Sequence, residues 1–314
     1  MADISAEDRF YLQNEANKEM NRILIEKKCK INLNLSSNFA ATIDATQVSI
    51  TGPPDGVCDA YLEIRQLIPI TVWFDLKPNP NLPSMILDPN AQPLHDIQKK
   101  YEMAICVVPV QSPVIQPTPS NHISIYIRTN RKNEEKLRKG IEELTQFIKA
   151  NNFGTIYANI QTKIDVPSNQ PTIIGRTYSV LEPIAAKTLT QISVQKSPTN
   201  HMSNVSIVGI NYPSISSART EISDRFVVEV NFDVNAIQSN ILEKFGRHLE
   251  RMGEESGVHI LMKPGLNPTN KVVIIRGTDK DVYKLFEVRQ SIISILQNPP
   301  NPSSANSNGT TFVN

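Results

Sequence analysis

Four short runs of β-branched and apolar residues recur along the chain, each bounded by turn residues. Such runs predict β-strands that are largely buried. A turn and a helix-length stretch follow each run, and all but the second run end in glycine. A pattern that repeats in this way indicates an array of similar structural units. The runs are Gln47–Gly52, His122–Arg128, Asn204–Gly209 and Lys271–Gly277.

The stretches after these runs have the spacing of amphipathic helices. Leu137, Ile141, Leu144 and Ile148 recur at intervals of four, three and four, which places them on one helical face. We therefore predict a helix here whose apolar face packs on the core.

Three of the helices are followed directly by another strand, then by two helices with a loop between them, and then by a further strand. The resulting order is β-α-α-β-β-α, and it resembles the order of the eukaryotic-type KH domain. That resemblance implies a three-stranded antiparallel sheet backed by three helices. We predict an α+β fold of four tandem type I KH modules, packed into one globular unit.

The predicted module boundaries lie near Pro69, Asn151 and Asp224. The first module opens inside its first helix and lacks its first strand, which either a truncation or a strand supplied from elsewhere would explain. The end of the chain is too polar to bury a core, so we expect a disordered tail. The predicted ranges are 1–69, 70–151, 152–224 and 225–298 for the modules and 299–314 for the tail.

The charge balance bears on the class of partner. The chain carries 32 basic and 31 acidic residues, a net charge of +1. From the first module to the fourth, the net charges are −3, +2, +1 and +1. A protein that neutralises many phosphates usually carries a clear basic excess. The balance therefore favours protein partners.

The recognition loop is the next feature to test. A working KH domain holds a nucleic-acid backbone through a G-x-x-G loop between its first two helices. The glycines let phosphates approach closely, and the helix N-terminus favours their charge. Aligned on their second helices, the four modules give loops that each lack at least one glycine. We predict that the clamp is lost, the alternative being weak RNA contact through Arg176 or Lys244. The loops are Asn14-Glu15-Ala16-Asn17, Ala91-Gln92-Pro93-Leu94, Gly175-Arg176-Thr177-Tyr178 and Glu243-Lys244-Phe245-Gly246.

The sequence shows few patterns typical of metal-binding, catalytic or cofactor-binding sites. The three cysteines form no C-x-x-C pair, which favours a reducing compartment, and no histidines have zinc-ligand spacing. No nucleophile elbow, Walker loop or dinucleotide fingerprint occurs, so we predict neither an enzyme nor a cofactor. Trp73 is expected to pack in the core or between modules, with base stacking as the alternative. His259 is expected to face solvent.

Membrane association is not expected. No apolar run approaches the roughly 20 residues that span a bilayer. The start of the chain lacks the basic and apolar regions of a secretory signal.

Several segments resemble the KH array of Bicaudal-C proteins, and the likeness extends to about residue 297. The divergent loops are most similar to the nematode germline branch, whose member partners a cytoplasmic poly(A) polymerase. This resemblance implies post-transcriptional control of germline mRNAs, in the cytoplasm or in germ granules. The segments are 47–57, 64–69, 72–76, 206–209 and 217–219.

Two functional hypotheses follow. The first is a non-catalytic scaffold that binds proteins of an mRNA polyadenylation or translational-control complex, with mRNA contact weak or indirect. The second is a direct single-stranded RNA binder that uses nonstandard KH surfaces. Neither hypothesis involves a membrane or a small-molecule substrate.

Overall fold

A computed structural model describes residues 2–35, 45–79, 91–109, 123–167, 171–174, 179–196, 202–265 and 270–298. The strands are β1 (Ala2–Ser5), β2 (Lys30–Leu35), β3 (Ala45–Thr51), β4 (Pro69–Pro78), β5 (Ala104–Pro109), β6 (Ile123–Asn130), β7 (Gly154–Pro167), β8 (Thr190–Lys196), β9 (Met202–Gly209), β10 (Val227–Val234), β11 (His259–Pro264) and β12 (Lys271–Thr278).

The helices lie between these strands, singly or in consecutive pairs, and short 3-10 turns at Arg131–Asn133 and Asp279–Asp281 precede two of them. They are α1 (Ala6–Gln13), α2 (Asn17–Glu26), α3 (Pro54–Leu67), α4 (Gln92–Tyr101), α5 (Glu134–Ala150), α6 (Pro171–Ile174), α7 (Leu181–Thr188), α8 (Tyr212–Ser223), α9 (Ala236–Lys244), α10 (Gly246–Ser256) and α11 (Val282–Gln297).

The described strands form three sheets, in the orders β1-β3-β2, β5-β6-β4-β7-β9-β8 and β10-β12-β11. The strand pairs whose register is defined are antiparallel. The α+β class with antiparallel sheets is therefore confirmed.

The central sheet joins the second and third predicted modules. Strand β4 opens one module and β7 opens the next, and they pair antiparallel from Val72 opposite Thr162 to Pro78 opposite Gly154. The register shifts between Phe74 and Leu76, where β7 bulges. Two three-stranded sheets thus become one sheet of six strands.

The core includes one face of β4 and the predicted face of α5. In β4, Ile70, Val72, Phe74 and Leu76 alternate with less buried residues and are almost fully enclosed. In α5, the predicted stripe of Leu137, Ile141, Leu144 and Ile148 is buried against the sheet side, which confirms the helical period.

The glycines that end three of the repeated strands allow a close approach of packed elements. A Cβ at Gly209 would lie 2.8 Å from Cγ2 of Ile215, at the start of α8. At Gly277 it would lie 2.7 Å from Cδ2 of Leu285, and at Gly52 2.7 Å from Sγ of Cys29. No real side chain fits at these distances without movement, so the repeated glycine is a packing requirement.

A left-handed residue follows the helix that precedes the second strand of each predicted module. These residues are Lys28, Glu102, Leu189 and Gly257, with φ of 55°, 51°, 54° and 69°. The left-handed turn ends the helix and reverses the chain. Only one of the four is glycine, so the other three adopt a backbone conformation that L-residues disfavour.

Two predictions about the architecture are wrong. The first module has its first strand, because Ala2–Ser5 pairs with β3. This strand has only four residues and Ile4 as its one bulky apolar side chain, so no alternation marks it. The chain also forms two compact units, Asp3–Arg225 and a second that contains 226–298, and not one. A short linker limits the distance between modules but supplies no buried surface.

The predicted tail, 299–314, lies outside the described residues. Within the part of the chain that is described, none of the helices combines the length and apolar character needed to cross a bilayer.

Candidate functional site

The first candidate recognition loop is a tight connection between α1 and α2. The Asn14 side chain donates from Nδ2 to the Phe10 carbonyl over 2.7 Å, and the Ala16 amide bonds the Tyr11 carbonyl over 3.0 Å. Ala16 is buried, while Glu15 is exposed at the tip and Asn17 begins α2. An approaching phosphate would therefore meet a carboxylate.

The second candidate sequence lies in a helix. Ala91 precedes α4, and Gln92, Pro93 and Leu94 form its first turn. Pro93 has no N–H to donate to a phosphate. Leu94 is 3% exposed and belongs to the core, so it cannot contact a ligand.

The third candidate loop, 175–178, lies outside the described residues. In the fourth, Glu243 and Lys244 end α9, Phe245 connects the helices and Gly246 begins α10. Phe245 is buried, and Glu243 forms an ion pair with Lys271. Only Lys244 and the open space beside Gly246 remain accessible to a ligand.

Lys27, just after α2, is engaged within the protein. Lys27 forms ion pairs with Asp59 over 3.1 Å and with Glu63 over 3.0 Å, both on α3. Its hydrogen bonds to these carboxylates raise the Lys27 pKa. Lys27 therefore joins two helices of the first module.

Trp73 does not lie in the core, contrary to one of its expected roles. Its side chain and that of Phe74 lie on different faces of β4. Trp73 is the cross-strand neighbour of Tyr126 on β6 and stacks on that ring, with centroids 5.6 Å apart. Both rings are partly buried. The second role considered for Trp73, packing between modules, is not what this pair shows, since both residues belong to one predicted module.

The same face of the six-stranded sheet carries α1 of the first module. Glu7 lies 3.9 Å from Arg128 on β6 and 4.0 Å from Lys163 on β7. The Tyr11 hydroxyl donates to Asn130 Oδ1 over 2.5 Å, and the Arg128 guanidinium lies over the Tyr11 ring. Helix α1 thus contacts the strands of two other modules.

Asp8 lies near Arg131 and the buried Arg219. Burial raises the Asp8 pKa to about 6, although the Arg131 charge, a hydrogen bond from Ser5 and the Arg219 charge oppose this effect. Burial, and then the neighbouring Arg131, lowers the pKa of Arg219 to about 10. Arg219 Nη2 reaches only the Pro69 carbonyl, at 3.5 Å. Burial therefore disfavours the charged forms of both Asp8 and Arg219.

A second polar contact joins α5 to α8. Glu134 accepts hydrogen bonds from the hydroxyl of Tyr212, over 3.1 Å, and from the hydroxyl of Ser216. Burial and the Glu134 charge both raise the Tyr212 pKa. Sequence reasoning missed this contact, because nothing in the local pattern links residues that lie far apart in the chain.

The remaining candidates have structural roles. His259 is exposed on β11, as predicted. Asp281 accepts from the Thr278 hydroxyl and pairs with Lys284 at the start of α11. Among the described residues, no three His, Cys, Asp or Glu side chains are grouped so that they could hold a metal ion.

Comparison with known proteins gives the fold first. A solved structure described as "KH domains" superposes with a TM-score of 0.61 over 92% of this chain and 82% of its own, at 17% identity. The chain therefore has the KH fold. No family model matches the sequence.

The sequence is also similar to those of curated proteins. The chain is 21% identical over 311 residues to human protein bicaudal C homolog 1, and 21% identical over 306 residues to Drosophila melanogaster protein bicaudal C. The match covers 96% and 93% of this chain. The chain is homologous to Bicaudal-C proteins.

This Bicaudal-C homologue spans about 30% of the length of the curated relatives that it matches. The Xenopus laevis protein bicaudal C homolog 1-B gives the same result, with 22% identity over 93% of this chain and 29% of its own.

Proposed function

We propose that this chain is a non-catalytic array of four KH modules that binds proteins in the translational control of germline mRNAs. A cytoplasmic poly(A) polymerase complex is its candidate partner, and the cytoplasm, including germ granules, is its expected location. Contact with mRNA is weak or passes through the partners. Homology to Bicaudal-C proteins and the KH fold support the regulatory class.

The observation that carries this proposal is the state of the recognition loops. The first presents Glu15 to the solvent, and the second is the first turn of a helix with Leu94 in the core. Close approach of phosphate to a loop backbone needs glycine and free N–H groups. Neither of these loops supplies both.

The arrangement of charge supports the same view. Arg128, Lys163 and Lys27 contact carboxylates of other elements of the chain. Basic side chains that are neutralised in this way release few counterions on binding a nucleic acid, so they add little affinity. Arg128 and Lys163 thus pair with Glu7 of α1, and Lys27 joins two helices of one predicted module.

Two measurements test the proposal. Purified chain is first mixed with the cytoplasmic poly(A) polymerase, and stoichiometric co-elution on a sizing column is expected. It is then titrated with a labelled single-stranded RNA at physiological salt, where no saturable binding is expected. Saturable RNA binding without polymerase binding would contradict the proposal.

One observation favours the second candidate function, direct RNA binding through the fourth module. Lys244 and Arg247 are exposed on either side of Gly246, and a Cβ on that glycine would meet no atom within 4 Å. An anion could therefore reach the start of α10. Lys244→Ala and Arg247→Ala would then abolish RNA binding, whereas Lys280→Ala, at an exposed position in the same unit, would not.

A further inference from the structure

Strand β5 ends the six-stranded sheet, because β6 is the only strand of the described residues that pairs with it. Its sequence, Ala-Ile-Cys-Val-Val-Pro, contains no charged residue. Proteins usually place charges on such edges, since the free backbone groups there can pair with another chain. Apart from the Ile105 amide, which donates to Gln98, this edge lacks such protection among the described residues.

The other five terminal strands of the described sheets do carry charges. Asp3 lies in β1, Lys30 in β2, Lys196 in β8 and Lys263 in β11, and β10 contains Glu229. Strand β5 is the exception among them. Its solvent-facing side chains are also apolar, because Cys106 is exposed and Val108 is 41% exposed.

The backbone groups that face outward from β5 can be assigned. The Ile105 amide donates to Gln98 Oε1 on α4 over 2.8 Å, so it points away from β6. Residues of an antiparallel strand alternate in direction, so the N–H and C=O of Val107 also point outward. Pro109 has no N–H. Val107 therefore holds the one complete donor–acceptor pair at this edge.

We propose that two copies of this chain associate by antiparallel pairing of β5 with β5, about a two-fold axis at Val107. Each Val107 donates its N–H to the carbonyl of the other, and Cys106 of each copy lies opposite Val108 of the second. Pro109, which has no N–H, lies opposite Ile105 of the second copy. The Ile105 N–H already donates to Gln98 of its own copy.

An uncharged strand is what pairing with a second copy requires. Around a two-fold axis at Val107, a charge at position 106 or 108 would lie diagonally across from the same charge of the other copy, and like charges this close in a sheet are destabilising. The pairing is isologous, so it closes at two copies and does not form a fibre. The chain already extends its sheet in this way, since β4 and β7 pair antiparallel.

Sedimentation velocity of the full chain tests the proposal, over protein concentrations from about 1 to about 200 µM. The mass is expected to rise from 35.1 kDa toward twice that value. Val108→Lys, on the exposed side of the edge, should weaken association by about tenfold or more. Ser193→Lys, at an exposed position on the opposite terminal strand β8, should leave it unchanged. A constant mass of 35.1 kDa, or equal effects of the two lysines, would overturn the proposal.

A cross-linking variant tests the register independently of affinity. In Val108→Cys, the new thiol would lie opposite the native Cys106 of the second copy, a position suited to a disulfide. Mild oxidation should then give a covalent dimer, which the additional change Cys106→Ser should abolish. Ser193→Cys should give none. A dimer band of equal strength from Ser193→Cys would show random collision and refute the pairing.

Discussion

Tyr212 on α8 donates a hydrogen bond to Glu134 on α5 over 3.1 Å, which ties the last helices of two neighbouring modules together. Tyr212 is 5% exposed, so its hydroxyl has no access to bulk water as an alternative partner. Tyr212→Phe should lower the free energy of unfolding by roughly 1–2 kcal/mol, since it removes a hydrogen bond to a charged group. Urea denaturation measures this change. Tyr283→Phe, at an exposed position of α11, is the control and should have no effect.

The pKa of Asp8 predicts a pH dependence of stability. Its pKa is raised from 3.8 in the unfolded chain to about 6 in the folded protein. The folded state therefore binds the proton more tightly, so the Asp8 contribution is greatest below about pH 4 and is lost as pH rises through 6. The loss is roughly 2–3 kcal/mol for a shift of this size.

Denaturation of Asp8→Asn between pH 4 and pH 7 checks that dependence. The amide cannot ionise, so the stability of the variant should lack this part of its dependence on pH. Above pH 6 the variant should be more stable than the wild type. Asp96→Asn, at an exposed position of α4, should keep the wild-type slope. An unchanged slope in Asp8→Asn would show that another group is responsible.

The strand-end glycines predict a steric effect of alanine. Gly209→Ala would place a methyl group 2.8 Å from Ile215 and 3.3 Å from Thr190, so strand and helix must separate. Overpacking of this kind costs about 1–3 kcal/mol. Gly246→Ala has open space and should change stability by less than about 0.5 kcal/mol. Thermal unfolding of both variants measures the contrast, and equal effects would contradict the packing argument.

At Leu189, a substitution by glycine is expected to raise stability. It has φ of 54° and is 76% exposed, so it has an unfavourable backbone conformation without burying its side chain. Leu189→Gly should stabilise the protein by about 0.5–1 kcal/mol, because glycine adopts this conformation freely. Leu189→Ala keeps a Cβ and should not stabilise it. A loss of stability in the glycine variant would mean that the leucine makes a contact needed for folding.

The sequence was sufficient for features that depend on local periodicity. The stripe on α5 predicted which side chains are buried, and the glycines marked where strands end against helices. Trp73 shows where this fails, since alternation separates two faces of a strand but does not say which face is the core. The short β1 was missed because four residues carry too little pattern. Contacts such as Tyr11 with Asn130 join distant parts of the chain, and no local signal encodes them.

The most direct test of the central claim is a fluorescence anisotropy titration of the full chain with a short single-stranded RNA at about 0.15 M salt. The account predicts no saturable binding up to about 10 µM protein, because the described recognition loops lack paired glycines and Arg128, Lys163 and Lys27 contact carboxylates. Lys244→Ala and Arg176→Ala are measured beside the wild type. Saturable binding at micromolar concentrations or below, abolished by either substitution, would contradict the account and establish the chain as an RNA reader.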